Sequence, residues 1–125
     1  MKDFVATGRP FLGICIGMQV LMDKSAEFGD YEGLGLVPGK VERIPHEGRA
    51  GNHLRIPHIG WVDLHKSGDA SDSWLGKALA ENAANPGAVY FVHSYHCVPA
   101  DPQHRAAFAD YDGSEITASI RRDNI

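Results

Sequence analysis

The sequence predicts an α/β domain in which helices pack against a mixed sheet. Three features carry that expectation: an apolar run, Phe11 to Ile14, handing over to a helical pattern; a second helical pattern between two strand-like stretches; and a late hairpin signal at Asp112-Gly113. Early alternation of strand and helix builds parallel pairings, and a hairpin adds antiparallel ones, so the expected sheet is mixed.

Residues 1 to 8 read as the end of a helix or a loop, and Gly8-Arg9-Pro10 breaks the chain before Phe11 to Ile14, which reads as a buried strand. From Ile16, Val20 follows at i+4, and Leu21 pairs with Phe28 at i+7, while Asp23, Lys24 and Glu27 take the polar side. This predicts an amphipathic helix capped by Gly29. Gly33 to Gly39 is irregular chain leading into a short strand, Lys40 to Ile44, and His46 to Asn52 is a polar loop. Leu54 to Leu64 contains Pro57 and Gly60, which points to an edge or bulged strand. Ser73 to Ala84 reads as a helix stopped by Asn85-Pro86-Gly87, and Val89 to Val98 as one strand. Ala106 to Tyr111 and Glu115 to Ile120 then flank Asp112-Gly113 as the arms of a type I′ hairpin.

The 125 residues suffice for one hydrophobic core, and 43% hydrophobic with 22% charged residues excludes a disordered tail or a fibre. A net charge of −4 without a basic cluster argues against a nucleic-acid partner. No apolar run approaches membrane-spanning length, and Met1 to Val5 does not open a signal peptide. A cytoplasmic protein is therefore expected, with Cys15 and Cys97 as free thiols.

Gly13-Ile14-Cys15-Ile16-Gly17 is a Gly-x-Cys-x-Gly placed where strand becomes helix, the pattern of a nucleophile elbow. Glycines beside the nucleophile let the chain reverse sharply, and the thiol then sits at a helix N-terminus. Positive partial charge and free N–H groups there favour a thiolate and a developing oxyanion, so Cys15 is the candidate nucleophile and the Ile16 N–H the candidate oxyanion donor. A buried cysteine beside glycines is also a common packing outcome. His93, His96 and Cys97 raise the possibility of zinc, but alternation along a strand sends His93 and His96 to opposite faces. No metal and no cofactor is expected, and His46, His53, His58, His65 and His104 lack ligand spacing.

Gly13 to Gln19 resembles the nucleophile segment of class I, triad-type glutamine amidotransferases. Gly33-Leu34-Gly35-Leu36-Val37-Pro38-Gly39-Lys40-Val41, Pro57-His58-Ile59-Gly60-Trp61 and Tyr90-Phe91-Val92-His93-Ser94-Tyr95 resemble further segments of one branch, the glutaminase subunits of imidazole glycerol phosphate synthase. The elbow alone suits several amidotransferases; the other three segments carry the narrower likeness. The resemblance implies a flavodoxin-like three-layer fold with a mainly parallel sheet, and attack of Cys15 on the side-chain amide of glutamine. It also implies contact of Gln19 with the bound glutamine, and a His93-Ser94-Tyr95 segment that holds the substrate largely through its backbone. Ammonia would pass to a cyclase subunit in a heterodimer, with Pro57, His58, Trp61 and Tyr90 near the interface. Gln19 also reads as a solvated helix residue, and Trp61 as a core aromatic.

The family completes its triad with a His-x-Glu near the C-terminus, and no histidine here lies in a His-x-Glu. The family's first strand and helix, and the glycine-rich loop that supplies a second oxyanion donor, are likewise not matched. The chain therefore reads as an interior piece of such a domain, 1–125, expected to be inactive on glutamine alone. Val62 stands where the family usually has a polar amide. Two other readings remain: a non-catalytic cyclase-binding module, and a cysteine hydrolase of the α/β-hydrolase type. Met18-Gln19 and Tyr90 to Tyr95 speak against the hydrolase.

Overall fold

The computed structural model describes residues 1–49, 51–67, 77 and 87–125. The helices are α1 (Lys2–Val5) and α2 (Ile16–Gln19), and the strands are β1 (Lys24–Ser25), β2 (Tyr31–Glu32), β3 (Gly39–Arg43), β4 (His58–Lys66), β5 (Ala88–His93), β6 (Tyr95–Pro99), β7 (Arg105–Tyr111) and β8 (Ser114–Ile120). The strands form two four-stranded sheets in the orders β2-β1-β3-β6 and β5-β4-β7-β8. Pairing is mixed, as expected, but its balance is not: among the described residues β1 with β3 is parallel and the other pairs are antiparallel. The expected helix Ser73 to Ala84 lies outside the described residues apart from Lys77.

The core of the first sheet is Leu21, Met22, Val37, Val41 and Cys97, with Phe11, Met18, Leu34, Leu36, Tyr95, Ile120 and Ile125 packed around it. Burying this apolar surface is the main stabilising term. The helix expected from Ile16 to Gly29 stops at Gln19 because the carbonyls beyond it find other donors. Val20 O accepts from Leu34 N–H, Leu21 O from Leu36 and Val37 N–H, and Asp23 O from Gly33 N–H, at 2.8–2.9 Å. Gly33 permits this approach, since a Cβ there would run into the Met22 carbonyl oxygen. Leu21 and Met22 become core residues by that pairing rather than as one face of a helix.

Phe11 to Ile14 is not a strand among the described residues. Phe11 N–H donates to Asn124 O at 2.8 Å, and the Asn124 side-chain amide donates to Val5 O and Arg9 O at 3.1 and 2.7 Å, so a C-terminal turn holds this segment instead. Leu12 and Ile14 are exposed rather than buried.

β4 is not an edge strand. Residues 58–63 pair with β5 and residues 64–66 with β7, so it changes partner midway and lies between two strands. Pro57 precedes the first strand residue and removes no ladder hydrogen bond. The single strand expected over Val89 to Val98 is two strands: it bends at Ser94, with β5 in one sheet and β6 in the other. The hairpin forms as expected, with Tyr111 opposite Ser114 and positive φ of 54° at Asp112 and 79° at Gly113, the signs a type I′ turn requires.

Candidate active site

The elbow is built by one close approach. A Cβ on Gly13 would collide with the Gly17 carbonyl oxygen, whereas nothing lies within 4 Å of a Cβ on Gly17. Between them Cys15 sits at the N-cap of α2 with φ 56° and ψ −120°, a region that residues with a side chain rarely adopt. Such strain persists where the surroundings over-determine it, as at reactive sites. The Cys15 carbonyl accepts from Met18 and Gln19 N–H at 2.9 and 3.3 Å, and the thiol is exposed. The Ile16 N–H opens the helix and has no backbone acceptor among the described residues, which leaves it available to an oxyanion. With only four residues in α2, the helix dipole is small, so the donor and the strained turn carry the site. Gln19 is half-buried one turn along, and its side-chain amide has no hydrogen-bond partner among the described residues.

Helix α2 packs against β6. Met18 and Tyr95 touch the same core cluster, which brings the elbow and the His93-Ser94-Tyr95 segment to one side of the first sheet. That segment is the bend between β5 and β6, and Ser94 O accepts from Ile44 N–H at 2.9 Å.

The His93 ring is anchored at both nitrogens. Nδ1 lies 3.1 Å from Tyr95 O and Nε2 lies 3.2 Å from His58 Nδ1. Burial drives the His93 imidazole down to about 4, with His58 and His96 adding to that effect and the Tyr95 carbonyl opposing it; burial also lowers His58. Both rings are therefore neutral near pH 7. Sequence alone does not pair them: they lie 35 positions apart, and the signal is the β4–β5 register that sets His58 opposite His93. His96 belongs to the other sheet and its Nδ1 accepts from Thr117 N–H at 3.4 Å; the bend at Ser94, rather than alternation along one strand, sets its place relative to His93. Among the described residues no cluster of three ligating side chains forms that could hold a metal.

Of the four residues grouped as an interface, three are exposed and one is not. Trp61 is 71% exposed and Tyr90 54%, with their rings edge to face at 5.5 Å, and Pro57, just before β4, is exposed as well. Trp61 is thus a surface aromatic rather than a core one. His58 is 4% exposed and stacks on Tyr111 at 4.1 Å, so its side chain lies behind that surface. Cys97 is fully buried, and burial pushes its thiol up to about 12. It is an inert packing residue, which leaves Cys15 as the accessible sulfur.

The whole chain, residues 1–125, matches the family described as "Glutamine amidotransferase class-I". It is 44% identical over 125 residues to "Imidazole glycerol phosphate synthase subunit HisH 1" of Legionella pneumophila (strain Lens), covering all of this chain and 58% of that protein. It is 43% identical over 123 residues to "Imidazole glycerol phosphate synthase subunit HisH" of Nitrosospira multiformis, covering 96% of this chain and 53% of that one. The chain thus spans little more than half the length of these curated relatives. An elbow cysteine in the expected place, together with a family match along the full 125 residues, means that this chain belongs to the class-I glutamine amidotransferases.

Proposed function

We propose that the protein carrying this chain hydrolyses glutamine to glutamate and ammonia and delivers the ammonia to a cyclase subunit, in the manner of the synthase subunits it is similar to. The observation that carries the reading is the strained, exposed Cys15 at the head of α2. The Cys15 sulfur attacks the δ-amide carbon of glutamine, and the tetrahedral oxyanion takes the Ile16 N–H. The C–N bond then breaks as a general acid protonates the leaving nitrogen, giving ammonia and a glutamyl thioester. Water, deprotonated by the same group acting as base, releases glutamate and restores the thiol. By resemblance, that acid and base is the family's His-x-Glu, which none of the seven histidines of this sequence supplies.

Gln19 and the backbone of His93, Ser94 and Tyr95 hold the substrate in this reading. Pro57, Trp61 and Tyr90 form the surface for the cyclase, which uses ammonia to make imidazole glycerol phosphate and an aminoimidazole carboxamide ribonucleotide for histidine biosynthesis. No cofactor enters the glutaminase step. An exposed thiol that must stay reduced fits the cytoplasm.

The test is a chimera in which these 125 residues replace the matching stretch of the Legionella pneumophila relative. Glutamine-dependent ammonia release that rises on adding cyclase supports the reading. Cyclase binding without release supports the non-catalytic module instead.

A further inference from the structure

A titratable pair that the elbow does not use is buried His58 with half-buried His93. The His58 ring lies between Tyr111 at 4.1 Å and Phe91 at 5.5 Å, a slot that a phenyl ring would fill equally well. What a phenyl ring lacks is an N–H. The Tyr95 carbonyl can only accept, so the 3.1 Å contact requires the proton of neutral His93 to sit on Nδ1. His93 Nε2 is then a lone pair, and the 3.2 Å contact requires His58 Nδ1–H to donate to it. Two hydrogen bonds in series therefore run from β4 through the end of β5 to the first residue of β6. They span the Ser94 bend, where the chain leaves one sheet for the other.

Resting on the glutaminase reading above, the geometry points to His58 as a positioning residue of the glutamine site: it holds His93 in the tautomer that ties down the Tyr95 carbonyl, and so fixes the backbone of Ser94 and Tyr95 that receives the substrate. Without the His58 donor, the Tyr95 carbonyl alone holds the proton on Nδ1 and the Nε2 lone pair is left without its partner, so the Nε2–H tautomer gains population. Nδ1 then faces the Tyr95 carbonyl as a second acceptor, the two repel, and the bend loses its single conformation. His58 touches neither substrate nor nucleophile in this account and acts only through His93.

Two substitutions in the chimera separate donation from packing. His58→Phe keeps the aromatic stack and removes the donor. His58→Asn removes the stack and keeps an N–H close to the position of Nδ1. The expected result is a KM for glutamine raised about fivefold to tenfold in the Phe variant with kcat changed by less than about twofold, as one lost hydrogen bond in a binding segment gives. The Asn variant restores KM although it melts earlier. Nitrogen-detected spectra of His93 should show the Nδ1–H tautomer in wild type and Asn, and a shift towards Nε2–H in Phe. A KM that follows melting temperature, or a His93 tautomer indifferent to His58→Phe, would overturn the inference. A wild-type chimera without glutamine turnover would sink the glutaminase reading, and the tautomer spectra would still decide whether the His58 link exists.

Discussion

Gly13 and Gly17 flank the same cysteine, yet only one of them is demanded by the fold. A methyl group on Gly13 meets the Gly17 carbonyl, while the same change at Gly17 enters open space at an ordinary φ. Gly13→Ala should therefore cost about 1–3 kcal/mol and slow alkylation of Cys15, and Gly17→Ala should leave both nearly unchanged, measured by urea unfolding and thiol labelling. The half-buried His93 imidazole makes a second prediction at this scale. His93 is held at about 4 when folded, against an ordinary 6.5 when unfolded, so between those values the unfolded chain binds the proton and the folded chain does not. Stability from this group is full above pH 6.5 and is lost as pH falls towards 4. The melting temperature of the chimera should drop between pH 7 and pH 4.5, and His93→Gln should flatten that slope.

The β7–β8 hairpin was legible because its turn chemistry is local: Asp112-Gly113 needs two positive φ values and has them. Gly113→Ala places a methyl at φ 79° and against Arg49, and should cost about 1–2 kcal/mol, whereas Asp112→Gly should be neutral or stabilising in urea unfolding. The elements misread from sequence are those decided by distant partners. Periodicity from Ile16 to Phe28 is helical, but the 33–37 segment captures the carbonyls of Val20 to Asp23 and ends α2 at Gln19. Phe11 to Ile14 has strand composition, yet Asn124 takes its first N–H from over a hundred residues away. Alternation from Val89 to Val98 hides the bend at Ser94, because each half continues a strand pattern in a different sheet. The site divides in the same way. Cys15 and Ile16 follow from a five-residue motif, while the His58–His93 link exists only through the β4–β5 register.

At the scale of the whole molecule, the two cysteines divide into an exposed thiol, Cys15, and a buried one, Cys97, that packs. Cys97 completes the core beside Leu21, Met22, Val37 and Val41, and Cys97→Ala should cost about 1 kcal/mol in unfolding with little effect on turnover. Trp61 and Tyr90 stand on an exposed strand face, so Trp61→Ala should leave stability within about 0.5 kcal/mol while reducing stimulation of ammonia release by cyclase. On the proposed function, Cys15→Ala should abolish glutamine-dependent synthesis by the chimera with cyclase and spare synthesis from added ammonia. The most direct measurement is peptide mass spectrometry of the chimera after exposure to a glutamine analogue with a leaving group at the δ position. The account predicts one covalent adduct, on the peptide holding Cys15, whose formation is suppressed by excess glutamine. Labelling of Cys97, or labelling of Cys15 at a rate that glutamine leaves unchanged, would contradict it.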